Sequence, residues 1–297
     1  MREVSLTRGD GAWVARFRAL GGPCEVLVES AVRERAGALA AQAAASAWRI
    51  EDKFSRYRDD NIVARINDSR GEPVEVDDET ANLLDFAALM HRLSEGLFDI
   101  TSGVLRRAWT FDGGTRVPSD GQLAPLLALV GWNKVQWERP RLRLLPGMQV
   151  DFGGIGKEYA VDQAARYAAE AVDTAVLVNF GGDLAVTRAR TGGRPWRVGI
   201  EAIGDPAHAR AAEVIDLTAG ALATSGDTHR YVTANGQRLP HILDPRSGRP
   251  VRGAPRSVTV TAPNCTNAGM LTTLAMLRGA GAEDFLAAEG VRHWIQR

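Results

Sequence analysis

The sequence predicts an α+β fold, with a helical lobe packed on a strand-rich lobe. Up to about residue 133 it carries long stretches with apolar residues at helical spacing. From Lys134 onward short apolar or alternating runs dominate, separated by Gly, Pro and Asp turns. The intervening helices lack the regular strand–helix alternation of a doubly wound sheet. No repeat, low-complexity tract or long linker interrupts the 297 residues, so one domain is expected over 1–297, with lobes at approximately 1–133 and 134–297.

Taken in order, two short strands around Trp13–Arg18 and Glu25–Val28 flank the turn Leu20-Gly21-Gly22-Pro23. The Ala-rich stretch from about Val32 to Tyr57 reads as one long helix, with Ile50, Phe54 and Tyr57 on one face. A second helix follows the acidic pair Asp77-Asp78 and carries Leu83, Phe86, Ala87 and Met90, and Ser119–Val130 reads as another, short one. Strands are expected near 134–137, 141–145, 174–180, 197–200, 214–217 and 258–261, and helices near 157–171, 267–278 and 282–289.

Composition narrows the function classes. Lys plus Arg and Asp plus Glu are each 36, and the net charge of zero gives no support to a nucleic-acid-binding surface. No window resembles a membrane span and the N-terminus has no run of signal-peptide length, so no membrane insertion and a cytoplasmic location are expected. Cys24 and Cys265 make no metal-spacing motif and are expected to be reduced thiols.

Three glycine-rich stretches carry the chemistry. In VDFGGIGKEYAVDQAA (150–165), Gly153, Gly154, Gly156 and Lys157 sit where an apolar strand turns into a helix. Such a turn can cradle a phosphate, because glycines admit backbone N–H groups and a helix N-terminus favours anions. Its spacing fits neither the Walker loop nor the dinucleotide fingerprint. In VNFGGDLAV (178–186), Gly181 and Gly182 precede Asp183. That reads either as a hairpin turn or as backbone close to a ligand, with a carboxylate for a ribose or base. The third stretch, 221–251, presents Thr224-Ser225-Gly226-Asp227 and then His241, Asp244 and Arg246 within six residues. An imidazole so placed has groups that could orient it and bind phosphate, which suits general acid–base work.

Together and in this order, Phe54-Ser55-Arg56-Tyr57, GLFDIT (96–101), DFGGIGK, NFGGD, ATSGD and HILDPRSG resemble the successive motifs of the FAD:protein FMN transferases, the ApbE family. The resemblance runs from about Leu20 to Gly279 and implies an ApbE-like fold with an FAD crevice between the lobes. It implies an enzyme that splits FAD with a divalent metal, usually Mg²⁺, and transfers FMN to a Thr or Ser of a target flavoprotein, releasing AMP. On it, His241 is the general base, Tyr57 lies near the isoalloxazine, and Asp99, Thr101, Asp183, Ser225 and Asp227 line the flavin or nucleotide pocket. The glycines of DFGGIGK face the pyrophosphate with Lys157, the carbonyl of Gly156 is a metal ligand, and Thr273 matches a metal-binding threonine, with Thr272 the other register. Two positions depart from the family. Gly269 stands where an aspartate one turn before that threonine is usual, with Asn267 and Asp227 as candidate replacements, and Glu158 stands where many members have glycine. The first departure leaves open a non-catalytic FAD-binding paralogue or a metal-dependent FAD pyrophosphatase.

Overall fold

The computed structural model describes residues 2–203, 211–227, 230–234 and 236–297. Its centre is an antiparallel sheet of eight strands: Ser5–Arg8, Trp13–Ala19, Gly22–Val28, Val176–Phe180, Asp183–Val186, Gly220–Gly226, Ser257–Ala262 and His293–Gln296. Across the sheet these strands follow one another in chain order, each antiparallel to the next. The longest excursion from the meander falls between Gly22–Val28 and its partner Val176–Phe180, where residues 29–175 intervene. The sheet therefore spans both predicted lobes, and residue 133 is no boundary. The local patterns either side of it do differ, but the first three strands find their partners beyond residue 175.

The helices are α1 (Arg33–Phe54), α2 (Ile62–Asn67), α3 (Asp78–Leu93), α4 (Asp120–Leu127), α5 (Gly156–Ala171), α6 (Cys265–Arg278) and α7 (Ala282–Glu289). Helix α1 buries Ala36, Leu39, Ala40, Ala43, Ala44, Ala47, Ile50 and Phe54, a stripe at spacings of three and four. Most of these are alanines, as are Ala160, Ala164 and Ala168 of α5, and both sets belong to the main core. Small side chains let the two helices approach closely over the sheet, which accounts for the Ala-rich stretch. The other face of the sheet is covered by the hairpin Trp196–Glu201 and Ala211–Leu217, where Trp196, Ile200, Ile215 and Leu217 meet Leu177, Leu184 and Leu222.

Helix α1 ends at Phe54, earlier than its periodicity suggests. Ser55 is extended, and the Asn61 amide donates to the carbonyls of Asp52 (2.9 Å) and Ser55 (2.7 Å), so the chain turns away. Tyr57 consequently leaves the helical face and is 75% exposed. Helix α4 has the capping box its sequence carries, Ser119 with Gln122. No helix among the described residues is long and apolar enough to cross a membrane.

Candidate active site

Helix α5 opens the site. Its first turn, Gly156-Lys157-Glu158, lies beside the two-residue hairpin Gly181-Gly182, whose φ values of 64° and 95° favour glycine at both positions. NFGGD is thus a tight hairpin, and it also lies close to Lys157: a Cβ on Gly181 would sit 3.7 Å from Lys157 Cδ. Lys157 Nζ is 2.7 Å from Asp183 Oδ2, and the Thr224 N–H donates to Asp183 Oδ1 at 2.9 Å. Burial pulls the Lys157 ammonium down, but the charges of Asp183 and Glu158 outweigh it and its pKa is raised. Asp183 is 1% exposed, so its carboxylate serves this buried pair and does not stand open to a ribose.

The glycines of DFGG pack against side chains. The Gly153 N–H donates to Asp151 Oδ1 at 2.9 Å, and a Cβ on Gly154 would meet Phe98 Cε2 at 3.2 Å. A Cβ on Gly156 would meet nothing within 4 Å. Asp151 was not singled out by sequence, yet it organises two arginines. Arg56 Nη1 donates to Asp151 Oδ2 (3.0 Å) and to the Gly103 carbonyl (2.9 Å), and Arg106 Nε lies 3.6 Å from the same carboxylate oxygen. Gly103 allows this approach, since a Cβ there would sit 2.7 Å from Asp151 Cβ. The Arg56 guanidinium carbon is 6.0 Å from the centre of the exposed Tyr57 ring.

His241 is half-buried. Its Nδ1 is 3.2 Å from the Arg230 carbonyl, and its ring meets Phe111 edge-on with centroids 6.3 Å apart. Burial, reinforced by the charges of Arg106 and Arg230 and more weakly by Lys157, lowers its pKa to about 4. The imidazole is therefore neutral at pH 7, with three cationic side chains acting on it. Arg106 of the Arg56–Asp151–Arg106 cluster and Lys157 of DFGGIGK thus both act by charge on the histidine of HILDPRSG.

Other sequence candidates serve the fold. Asp99 caps the 3₁₀ helix Ile100–Arg107: its Oδ1 accepts from the Thr101 N–H (2.8 Å) and hydroxyl (2.6 Å), and its Oδ2 from the Trp132 N–H (2.8 Å). The Thr101 hydroxyl accepts from the Gly131 N–H at 2.7 Å, and Thr101 is fully buried. Both residues thus position the segment that carries Gly103 and Arg106. Asp227 is buried against Arg256 (Nε to Oδ1, 2.8 Å), so its carboxylate already has a charged partner. Asp244 does not orient His241. It is gripped by Arg246 through Nε (3.0 Å) and Nη2 (2.8 Å), and its carbonyl closes the turn between the short strands Leu243–Asp244 and Arg249–Pro250. Arg246 holds that turn from the surface.

Helix α6 lies along α5 and is fixed at its start by Asp162, which accepts from the N–H groups of Cys265 (2.7 Å) and Thr266 (2.8 Å). The Thr272 hydroxyl is fully buried, bonded to the Gly269 carbonyl (3.0 Å) and to Ser225 Oγ (2.9 Å), so Thr272 and Ser225 tie helix to sheet. Thr273 is half-buried, and its hydroxyl has no side-chain bond among the described residues. Asn267 is exposed and faces away from Gly269, which is buried. Against Gly269 lies Glu158, 7% exposed, with no hydrogen-bond partner for Oε2. Burial, with Asp183 adding to it, pushes the Glu158 carboxyl up to about 7. Among the described residues no three His, Cys, Asp or Glu side chains cluster as a metal site. In the first turn of α5 the oxygen left without a partner is Glu158 Oε2, a hard carboxylate donor. It fits Mg²⁺ in kind.

An antiparallel sheet with helices on one face and a neutral imidazole among cations defines an α+β protein equipped to hold an anionic ligand beside a base. A profile of the ApbE family matches residues 20–294, and the chain belongs to that family. The FAD:protein FMN transferase of Vibrio cholerae is 32% identical over 235 residues, 77% of this chain and 70% of that protein. Its Escherichia coli K12 counterpart is 31% identical over 248 residues, 80% of this chain and 70% of that one. The crystal structure of the ApbE protein of Thermotoga maritima superposes with a TM-score of 0.85 at 33% identity, covering 96% of this chain and 94% of that chain. The apo flavinyl transferase ApbE of Pseudomonas stutzeri gives 0.80 at 26% identity, covering 99% and 91%.

Proposed function

We propose that the protein is an FAD:protein FMN transferase that moves FMN from FAD to a Thr or Ser hydroxyl of a target flavoprotein and releases AMP. The observation that carries this reading is His241, neutral at pH 7 among Arg106, Arg230 and Lys157, in a chain of the ApbE family. The acceptor oxygen attacks the phosphorus of the FMN half, the bond from that phosphorus to the bridging oxygen breaks, and its electron pair leaves on AMP. The hydroxyl proton passes to His241. A neutral imidazole can take it, and such a base typically contributes about 10²–10⁴-fold.

The cations have a complementary task. Arg56, Arg106 and Lys157 bear positive charge where the pyrophosphate of FAD would lie, and phosphoryl transfer depends chiefly on such positioning and electrostatics. Tyr57, exposed beside Arg56, offers a ring for the isoalloxazine to stack on. A divalent cation, Mg²⁺ in the first instance, would neutralise charge on the pyrophosphate oxygens, with the Gly156 carbonyl and Thr273 hydroxyl among its ligands.

The test is incubation with FAD, Mg²⁺ and an acceptor flavoprotein, followed by mass spectrometry of the acceptor. We expect a gain of one FMN, lost when EDTA removes the metal. An unmodified acceptor would refute the proposal, and FMN and AMP formed without acceptor would mark a pyrophosphatase instead.

A further inference from the structure

We propose that Glu158, on α5, supplies the charged oxygen ligand of the divalent cation in this chain, in the place that a side chain at position 269 of α6 would otherwise fill. The inference rests on the flavin-transferase reading and deepens it. A Cβ built on Gly269 would lie 2.4 Å from Glu158 Cγ and 2.9 Å from both Cδ and Oε1. The Glu158 carboxyl group therefore occupies the volume of a residue-269 side chain, and the two cannot coexist without displacement. Asp162 holds this register. One turn further along α5 it grips the first N–H groups of α6, so Glu158 meets α6 one turn further on, at Gly269.

An ordinary packing role does not account for Glu158. Its Oε2 is buried without a partner, so an ionised carboxylate lacks a donor there and a protonated one lacks an acceptor. The nearest ammonium, Lys157, ends on Asp183 at 2.7 Å, which leaves a second buried acid in the same helical turn without its own counter-charge. Two residues before Glu158 is the carbonyl of Gly156, and one turn after Gly269 is the half-buried hydroxyl of Thr273. A carboxylate with these neutral oxygens near it along the two facing helices offers the donor types a hard divalent cation takes. The missing acid on α6 and the extra acid on α5 are then a single change, in which the carboxylate has kept its place and moved its root to the facing helix.

The test uses Mn²⁺ as probe, titrated into the FAD-loaded protein and followed by loss of the free-ion electron paramagnetic resonance signal. Glu158→Gln keeps the shape and removes the charge. It should weaken Mn²⁺ binding by more than about tenfold, since loss of even an outer-shell partner costs 10–100-fold. FAD affinity measured in EDTA should stay unchanged. Gly269→Asp alone should lower the thermal midpoint, because two side chains compete for one space. The double variant Glu158→Gly/Gly269→Asp should recover Mn²⁺ affinity to within a few-fold of the native protein, and it carries the test should Glu158→Gln fail to fold. Native Mn²⁺ affinity in a folded Glu158→Gln overturns the proposal, as does a double variant that binds no better than Glu158→Gly. If native protein transfers FMN while Glu158→Gln binds Mn²⁺ unchanged, only this inference falls. If native protein neither binds Mn²⁺ with FAD nor transfers FMN, the transferase reading falls with it.

Discussion

His241 should work as a base at a pH where an ordinary histidine would already be protonated. Its pKa is lowered from 6.5 to about 4, first by burial and then by Arg106 and Arg230. At pH 5.5 a histidine titrating at 6.5 is only about 9% neutral, whereas one titrating near 4 is about 97% neutral, a difference of roughly tenfold in competent enzyme. The assay is the pH dependence of kcat/KM for FAD at saturating acceptor, which reports the FAD-free enzyme before ligand phosphates enter the field. Its acid limb should fall well below 6.5. Arg106→Gln removes one repelling charge and should move the limb upward. The same shift bears on stability: the folded state refuses a proton that the unfolded chain accepts, so this contribution is complete above pH 6.5. It is lost as pH falls from 6.5 towards 4, and amounts to about 3 kcal/mol when fully lost. His241→Ala should flatten both profiles in that window. A native acid limb at 6.5 or above, or one unmoved by Arg106→Gln, would refute the reasoning.

Two further outcomes follow from the geometry. Lys157→Met leaves the Asp183 carboxylate buried without its counter-ion and should cost about 3–5 kcal/mol in urea unfolding, most of it recovered when Asp183→Asn is added. Tyr57→Ala should weaken FAD binding by about 1–3 kcal/mol in a fluorescence titration, the worth of a base-type stack on an aromatic ring. It should leave the urea midpoint within about 0.5 kcal/mol of native, because the ring is 75% exposed and supports no core.

Much of this was legible beforehand, for physical reasons that differ by element. Helices α1, α3, α5 and α6 announce themselves because one apolar face repeats at helical spacing, and NFGGD because two consecutive left-handed residues almost require glycine. The α+β class followed from the clustering of patterns. The lobe boundary did not, because local periodicity cannot reveal that Gly22–Val28 pairs with Val176–Phe180. Within the site, motif membership did not separate chemistry from scaffolding. Asp99, Thr101, Asp227 and Asp244 look like ligands in a string of letters, yet each is taken up by a backbone amide or an arginine, two residues away for Asp99 and Asp244 and 30 and 29 residues away for Thr101 and Asp227. Arg56, Asp151 and Arg106 were passed over although Arg56 and Asp151 sit inside quoted motifs. Arginines are common on surfaces, and only the fold shows two of them turned onto one half-buried carboxylate. The two departures at 158 and 269 were each visible, but their contact across α5 and α6 was not.

The longest excursion from the meander has a consequence for how the chain is made. Emerging from the ribosome, the first three strands can pair at once, but Gly22–Val28 then presents a bare row of backbone donors and acceptors. Its partner, Val176–Phe180, is still untranslated. At 5–20 residues per second the wait across residues 29–175 is roughly 7–30 s, long enough for an exposed strand edge to recruit another nascent chain. Helix α1 is the first element after that strand, and it packs on the strands Trp13–Ala19 and Gly22–Val28, shielding their apolar face while leaving the edge open. Synthesis of this protein therefore passes through a vulnerable interval that ends only when the strand leading into the Gly181-Gly182 hairpin arrives, so the segment that closes the edge is also the one that delivers Asp183 to Lys157.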